Sequence, residues 1–418
     1  MRSGKITNWA GNVEFSAAEV HRPGSIAELQ HLVANSPSVR ALGTGHSFNE
    51  IADTPGTMVS VAALPARLEI DSETSTAVVG GGLRWADLGG ALHQAGFALP
   101  NTGSLPHISV AGACSTGTHG SGNLVGNLAT FVSGLEMVTA EGDLVSYSRA
   151  SEPARFDGMV LSLGALGIIT ALTLDLIPTF HVRQDVYHGL THESYLANFD
   201  EVMALGYSVS TFSTWRPPRQ HEILVKSRTE SHDTSAAAPT VHRSTLATEN
   251  DHPTPQNMTQ QFGVPGPWNE RLPHFRLEFT PSSGQEIQSE YFVRRDQAVH
   301  ALRELQDIAQ DIASVLQAGE IRTTAADDLW LSPSYQRDSA CLHFTWIRDE
   351  AAIAPVVAAI EERLAVFDAR PHWGKRFTVA PAEISRLYPR LDEFRGQMRE
   401  LDPTAKFQND LIRRLLGG

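Results

Sequence analysis

The chain has 418 residues, enough for two or three domains of ordinary size and a sizeable core. Hydrophobic residues make up 41% and charged residues 19%, which suits a globular protein and excludes a disordered or fibrous one. With 33 Lys and Arg against 47 Asp and Glu, net −14, the overall field argues against nucleic acid and against an anionic membrane as partners.

The first nine residues lack the apolar run of a secretory leader. Cys114 and Cys341 are too far apart in sequence for a CxxC metal site and too few for a disulfide framework. Both features point to a reducing compartment, the cytoplasm. The least polar segment, 159–174, is interrupted by Ser162, Gly164, Gly167, Thr170 and Thr173. A membrane helix needs about 20 predominantly apolar residues, so this segment is expected to be buried interior.

Residues 1–178 are rich in Gly, Ala and Val and alternate strand and helix signals. After the apolar-flanked Val39-Arg40-Ala41 comes Leu42-Gly43-Thr44-Gly45-His46-Ser47-Phe48-Asn49. Gly43 and Gly45 permit positive φ and close backbone approach, and consecutive N–H groups in such a turn form an anion-binding nest suited to a diphosphate. A plain Gly-rich turn with an exposed histidine stays equally open on these residues alone. Ala77-Val78-Val79 reads as a strand, and Trp85, Leu88 and Leu92 lie on one face of a helix that Gly96 is placed to stop. The run 103–122 is dominated by Gly, Ser, Thr and Ala, with His107 and His119 inside it. It suits wrapping an extended ligand better than packing as an amphipathic element. His46, His107 and His119 match no zinc-ligand spacing, so no metal is expected. Residues 159–177 read as turn, then strand.

In 179–370, Leu302, Leu305, Ile308, Ile312 and Leu316 form one helical stripe. Val356 or Val357, Ile360, Leu364 and Phe367 form another, with Pro355 near its start. The clearest strands are 285–292, 320–324 and 342–347. This succession predicts an antiparallel sheet backed by helices, an α+β layer. Residues 227–258 are almost devoid of large apolar groups and are expected to be a long mobile loop.

Side chains i and i+2 share a strand face. Glu320 with Arg322, His343 with Thr345, and Gln288 with Glu290 are therefore polar pairs, while Leu342, Phe344 and Trp346 line a core face. Such pairs fit an ordinary solvated sheet face or a polar cavity for a polyhydroxylated substrate, and the spacing does not choose. Arg370-Pro371-His372-Trp373-Gly374-Lys375 fits either a plain basic loop or a segment that places an ammonium where developing negative charge needs stabilising.

These motifs, with Ser162-Leu163-Gly164-Ala165-Leu166-Gly167-Ile168-Ile169-Thr170 and the tail elements Asp402-Pro403 and Lys406-Phe407-Gln408-Asn409, resemble the vanillyl-alcohol-oxidase-type flavoproteins, and within them the bacterial alditol oxidases. The resemblance runs through nearly the whole chain in several separated motifs. It implies an α+β, two-domain flavoprotein. Residues 1–178 and 371–418 would form the FAD-binding domain and 179–370 the cap. No strand–GxGxxG–helix unit supports a Rossmann alternative.

Carried over position by position, the resemblance makes His46 the covalent attachment point of FAD. Gly43, Thr44, Gly45 and Ser47 form the nest around it. Ser104, Ser109, Gly112, Thr116, Gly117, Thr118 and His119 form a second FAD segment. Ile168 supplies a backbone contact toward the adenine end, and His372 a contact near the flavin. Cys114 does not fall where some relatives carry a cysteinyl link, so a single attachment is implied. Ser104, Gln288, Glu320, Arg322, Thr345 and Lys375 match polyol-binding positions. Lys375, Arg322, Glu320 and His343 are the implied catalytic groups, with Glu320 paired to Arg322. The implied activity is oxidation of the terminal hydroxyl of xylitol, sorbitol or glycerol, with O2 giving H2O2, by a monomer. An aldonolactone oxidase, or a flavin dehydrogenase using another acceptor, is the alternative.

Overall fold

The computed structural model describes residues 5–229, 238–241, 243–249, 254–278 and 284–417. Toward the N-terminus, the strands Val20–His21, Thr57–Val59 and Val39–Ala41 make a small parallel sheet. A five-stranded antiparallel sheet follows, in the order Leu68–Asp71, Thr76–Gly80, Ile168–Asp175, Val132–Val138, Leu144–Ser148. The Trp85–Gln94 helix buries Trp85, Leu88 and Leu92, and Gly96 follows it at φ +85°. Both agree with the sequence pattern. The 159–174 segment is interior: it becomes the central Ile168–Asp175 strand and the buried turn before it.

The second large sheet has nine antiparallel strands among the described residues. Its order is Thr245–Leu246, His181–Thr191, Gln220–Thr229, Ser208–Ser213, Leu316–Thr324, Ser339–Ile347, Glu286–Arg294 and Arg370–Pro371, with Gly266–Pro267 also pairing to His181–Thr191. One face carries Ile287, Tyr291, Leu342, Phe344 and Trp346. These pack against Leu302, Leu305 and Ile312 and against Ile353, Ile360 and Leu364 of the Glu350–Leu364 helix. The architecture is α+β, an antiparallel sheet backed by helices.

Several details differ from the sequence pattern. The 302–316 stripe is not one helix: Ala298–Glu304 and Ala309–Val315 are joined by the 3-10 turn Leu305–Ile308, and Leu316 leaves to pair with Trp346 in the sheet. Strand pairing there outweighs helical propensity. Pro355 lies inside the Glu350–Leu364 helix, not near its start, and Asp349 caps that helix by accepting from Ala352 N at 3.1 Å. The strands His181–Thr191, Ser208–Ser213 and Gln220–Thr229 escaped the pattern because they are buried on both faces while carrying Arg183, Gln184, Asp185 and Lys226. Such strands lack apolar–polar alternation. The expected loop 227–258 starts too early, since residues 227–229 end the Gln220–Thr229 strand in register with 183–181; Thr245–Leu246 forms a short edge strand, and residues 230–237, 242 and 250–253 lie outside the described residues.

The C-terminal residues return to the N-terminal region through buried polar ties. Arg40, 3% exposed, donates to the carbonyls of Leu163 (2.8 Å), Gly164 (2.9 Å), Phe407 (2.7 Å) and Ile51. Lys406 Nζ donates to the carbonyls of Val33 (2.8 Å) and Ala140, and Asn409 Nδ2 to those of Glu50 (2.8 Å) and Asp53 (2.8 Å). Arg40 therefore ties four separate segments together. Burial lowers its pKa to about 10, which still leaves it charged at neutral pH. Arg40→Met strands four buried carbonyls and should cost about 3 kcal/mol or more in urea unfolding.

Candidate active site

The 42–49 turn is fastened from several sides. Gly45 has φ +72°, and its carbonyl accepts from Trp9 N at 2.8 Å. Asn8 Nδ2 donates to Ser47 O at 2.8 Å, and Phe48 N to Gly374 O at 2.8 Å. Asn49 Nδ2 donates to the carbonyls of Trp373 (2.8 Å) and Lys375 (2.8 Å). The turn and the 372–375 segment thus form one unit. The His46 ring stacks on Trp9 at 4.9 Å, with Nδ1 3.0 Å from Thr44 Oγ1. Burial, and secondly His107, lower its pKa to about 4, so the imidazole is neutral at neutral pH.

The 103–122 run lies against this turn. A Cβ on Gly43 would stand 2.3 Å from Ser109 Oγ, and one on Gly112 2.7 Å from the same atom. Ser109 N donates to Thr44 Oγ1 at 3.3 Å. Gly117, at φ +72°, turns the chain after Val110–Ser115. Thr116 Oγ1 then donates to Gly112 O at 3.0 Å, and Thr118 N to Ala113 O at 3.0 Å. Ile168 is fully buried with Leu29, Val33 and Phe407, so its side chain belongs to the core. His372 Nδ1 accepts from Gly374 N at 3.0 Å, and its ring lies 6.1 Å from that of His119.

The second large sheet brings the polar pairs together. Glu290 registers with His343, Gln288 with Thr345, Glu320 with His343 and Arg322 with Cys341. Gln288, Glu290, Glu320, Arg322, His343 and Thr345 therefore share one face, opposite the helices. Ser104 and His119 meet that face: Arg322 Nη1 lies 3.3 Å from both Ser104 Oγ and His119 O.

Glu290 is the hub, and the sequence reading did not count it among the site residues. It is 1% exposed. Its Oε2 accepts from Lys375 Nζ at 2.6 Å, its Oε1 from Arg322 Nη2 at 2.9 Å, and His119 Nε2 stands 3.1 Å from Oε1. Burial pushes its pKa up, but Lys375, His119 and Arg322 more than offset that and hold it well below the usual carboxylate range. Lys375 Nζ also reaches His343 Nδ1 at 2.7 Å, whose Nε2 lies 3.1 Å from Thr345 Oγ1. Burial lowers the Lys375 pKa, and Glu290 resists it. His119 presents Nδ1 to Gly120 O at 2.8 Å and Nε2 to Glu290, while burial lowers its pKa. Its single ring proton at neutral pH has two acceptors to choose between.

The expected Glu320–Arg322 pair is present but long, 3.6 Å from Nε to Oε1. The closer partner of Arg322 is Glu290, and that of Glu320 is His274, with Nε2 3.0 Å from Oε1. Gln288 donates instead to Glu286 Oε1 at 2.5 Å. Alternation placed Glu290 on the correct face; no local signal marked His274.

His119, Glu290 and Cys341 set their ligand atoms within 4.8 Å of one another. Both Glu290 oxygens are already neutralised by cations, and burial raises the Cys341 pKa and keeps its thiol protonated. This set is poorly suited to a metal ion.

Residues 17–148 match the family described as FAD binding domain, and 282–415 the family described as D-arabinono-1,4-lactone oxidase. The alditol oxidase of Streptomyces sp. (strain IKD472 / FERM P-14339) is 50% identical, over 99% of both chains. The chain belongs to the alditol oxidase family. More distant are L-gulono-1,4-lactone dehydrogenase of Mycobacterium tuberculosis (29% identical, 98% of this chain and 99% of that one) and L-gulonolactone oxidase of Mus musculus (27%, 98% of each). Among solved structures, a solvent-stable cholesterol oxidase shares the fold, with TM-score 0.81, 15% identity and coverage of 98% and 97%. The chain is an FAD-dependent oxidoreductase of vanillyl-alcohol-oxidase type. No helix among the described residues is long and apolar enough to cross a membrane.

The residues present fit FAD. The backbone N–H groups of Gly43, Thr44, Gly45, His46 and Ser47 donate to no protein group among the described residues, as a diphosphate nest requires. Thr102 Oγ1, His107 Nδ1 and Asn123 Oδ1 are buried without protein partners along the adjoining run.

Glu290 and Glu320 both have folded pKa values below their unfolded ones. Their stabilising contribution is fully present above about pH 4.5 and is lost as pH falls below it, at up to about 1.4 kcal/mol per pH unit for each group. Unfolding free energy followed from pH 6 to pH 3 should decline, and Glu320→Gln should make that decline shallower.

Proposed function

We propose that the protein oxidises the terminal hydroxyl of alditols such as xylitol, sorbitol and glycerol to the aldose, with O2 reduced to H2O2. The observation that carries this reading is the polar sheet face. Two cations, Lys375 and Arg322, flank one buried carboxylate and are joined by Ser104, Glu320, His343 and Thr345. A neutral polyol needs donors and acceptors at close spacing, and this face supplies both.

In this reading 1–178 and 371–418 form the FAD-binding domain, and 179–370 the cap. FAD, when bound, supplies the two-electron acceptor and passes electrons on to O2. His46 carries its single covalent link, for which a neutral imidazole is suited. Gly43, Thr44, Gly45 and Ser47, with Ser104, Ser109, Gly112, Thr116, Gly117, Thr118, His119, the Ile168 backbone and His372, hold it. Lys375 Nζ and the Arg322 guanidinium bind the reacting hydroxyl oxygen and favour its anionic character. Glu290 fixes both cations, and His343 accepts from Lys375 and orients it. Glu320, Thr345 and Gln288 hold the remaining hydroxyls. The two cysteines, free and buried, suit the reducing cytoplasm, and the enzyme is taken to act as a monomer.

The 282–415 match favours a second reading, oxidation of an aldonolactone. Peroxide production from xylitol, sorbitol and glycerol should exceed that from gulonolactone; the reverse order would select the lactone. Equal rates with and without air in the presence of a dye would point to a dehydrogenase.

Two variants test the roles. Lys375→Ala should slow anaerobic flavin reduction by xylitol by about 10²–10³-fold while FAD stays bound, and near-normal turnover would refute the role. Acid precipitation should leave wild-type protein yellow. Precipitated His46→Ala should be colourless, its flavin released to the supernatant.

A further inference from the structure

Behind Glu320 lies a buried chain that the proposed reaction does not use. Lys226 is 1% exposed and sits on the Gln220–Thr229 strand, in register with Ser208. Ser208, Ser210 and Phe212 alternate onto one face, and Phe212 registers with Glu320. Lys226 therefore shares a sheet face with Glu320, two strands away. Its Nζ has three acceptors: Leu272 O, Pro273 O at 3.4 Å and His274 Nδ1 at 3.0 Å. Three acceptors match the three N–H groups of an ammonium.

His274 is 6% exposed and fixed at its backbone. Its N–H donates to Ser104 O at 3.0 Å, and its carbonyl accepts from Thr259 N at 2.9 Å. Burial, and secondly Lys226, lower its pKa to about 4, so the ring carries one proton at neutral pH. Burial lowers the Lys226 pKa to about 7, with Glu320 opposing that shift. As an ammonium, Lys226 can only donate to Nδ1, which puts the ring proton on Nε2, 3.0 Å from Glu320 Oε1 and 3.5 Å from Ser210 Oγ. Glu320 Oε2 has no hydrogen-bond partner among the described residues.

We propose that Lys226 and His274 are positioning residues for substrate binding: Lys226 fixes His274 as the Nε2–H tautomer, His274 holds Glu320 Oε1, and Glu320 thereby presents Oε2 to a secondary hydroxyl of the alditol. The proposal rests on the alditol reading above and extends it. The carboxylate is aimed by a buried lysine whose own contacts are to Leu272, Pro273 and His274. His274 also links the aim of Glu320 to the position of Ser104, since the same residue contacts both.

The test combines kinetics with a spectroscopic readout on the FAD-loaded enzyme. His274→Leu should raise KM for xylitol about tenfold with kcat changed less than about threefold, the pattern of lost uniform binding. In a Glu320→Gln background the same change should alter KM less than about twofold, because coupled residues are non-additive. His274→Gln, which keeps a donor near the Nε2 position, should recover most of the loss. Equal effects of His274→Leu in both backgrounds, or no recovery by His274→Gln, would overturn the proposal. Independently of any substrate, ¹⁵N-histidine NMR should show His274 as the neutral Nε2–H tautomer, with the preference weakened in Lys226→Met. An Nδ1–H tautomer or an imidazolium at neutral pH would also overturn it. If wild-type enzyme yields no peroxide from any alditol, the alditol reading fails, and the tautomer measurement still decides whether Lys226 and His274 set Glu320.

Discussion

The site depends on one buried carboxylate. Without Glu290, Lys375 and Arg322 would be two like charges close together in a desolvated space, which is costly. With it, each cation keeps a short charge-assisted hydrogen bond and a fixed direction. The three residues come from two sheet strands and the segment after Trp373. The ion triad therefore locks the sheet face to the 372–375 segment, and through Asn49 to the His46 turn. Electrostatics and architecture are here a single constraint.

Neighbouring charges extend the pattern. Lys375, Arg322 and Lys226 face Glu290 and Glu320, while burial keeps His274 and His343 in their neutral forms at neutral pH. Burial lowers the Lys226 pKa to about 7, so the cations outnumber the anions by one below that pH and balance them above it. With Lys226 protonated, the site is biased toward negative charge developing on a bound hydroxyl oxygen, and water exclusion strengthens that bias. The molecule can be acidic overall and still present a cationic site, because the field inside a buried pocket is set by its nearest groups and not by net charge.

Strand faces were legible because side-chain alternation is local. Glu320 with Arg322, His343 with Thr345 and Gln288 with Glu290 could be paired from spacing alone. The His181–Thr191 and Gln220–Thr229 strands were not legible: both faces are buried, so polar residues such as Gln184 and Lys226 interrupt the apolar run without any period. The 302–316 stripe misled for the opposite reason. Its period is helical throughout, yet Leu316 lies in the sheet, in register with Trp346.

The sequence by itself determined the family, through glycine and histidine motifs long enough to be specific, and it determined which residues share a face. Only the tertiary structure decided which faces meet and which charges pair. Spacing put Glu320 and Arg322 on one face and the resemblance implied that they pair, but strand order gives Arg322 the closer Glu290 and turns Glu320 toward His274 and Lys226. The physical reason is that strand periodicity is a property of a few adjacent residues. Register between strands far apart in sequence is set by packing of the whole sheet, and a hydrogen bond is gained or lost over less than 1 Å of that packing.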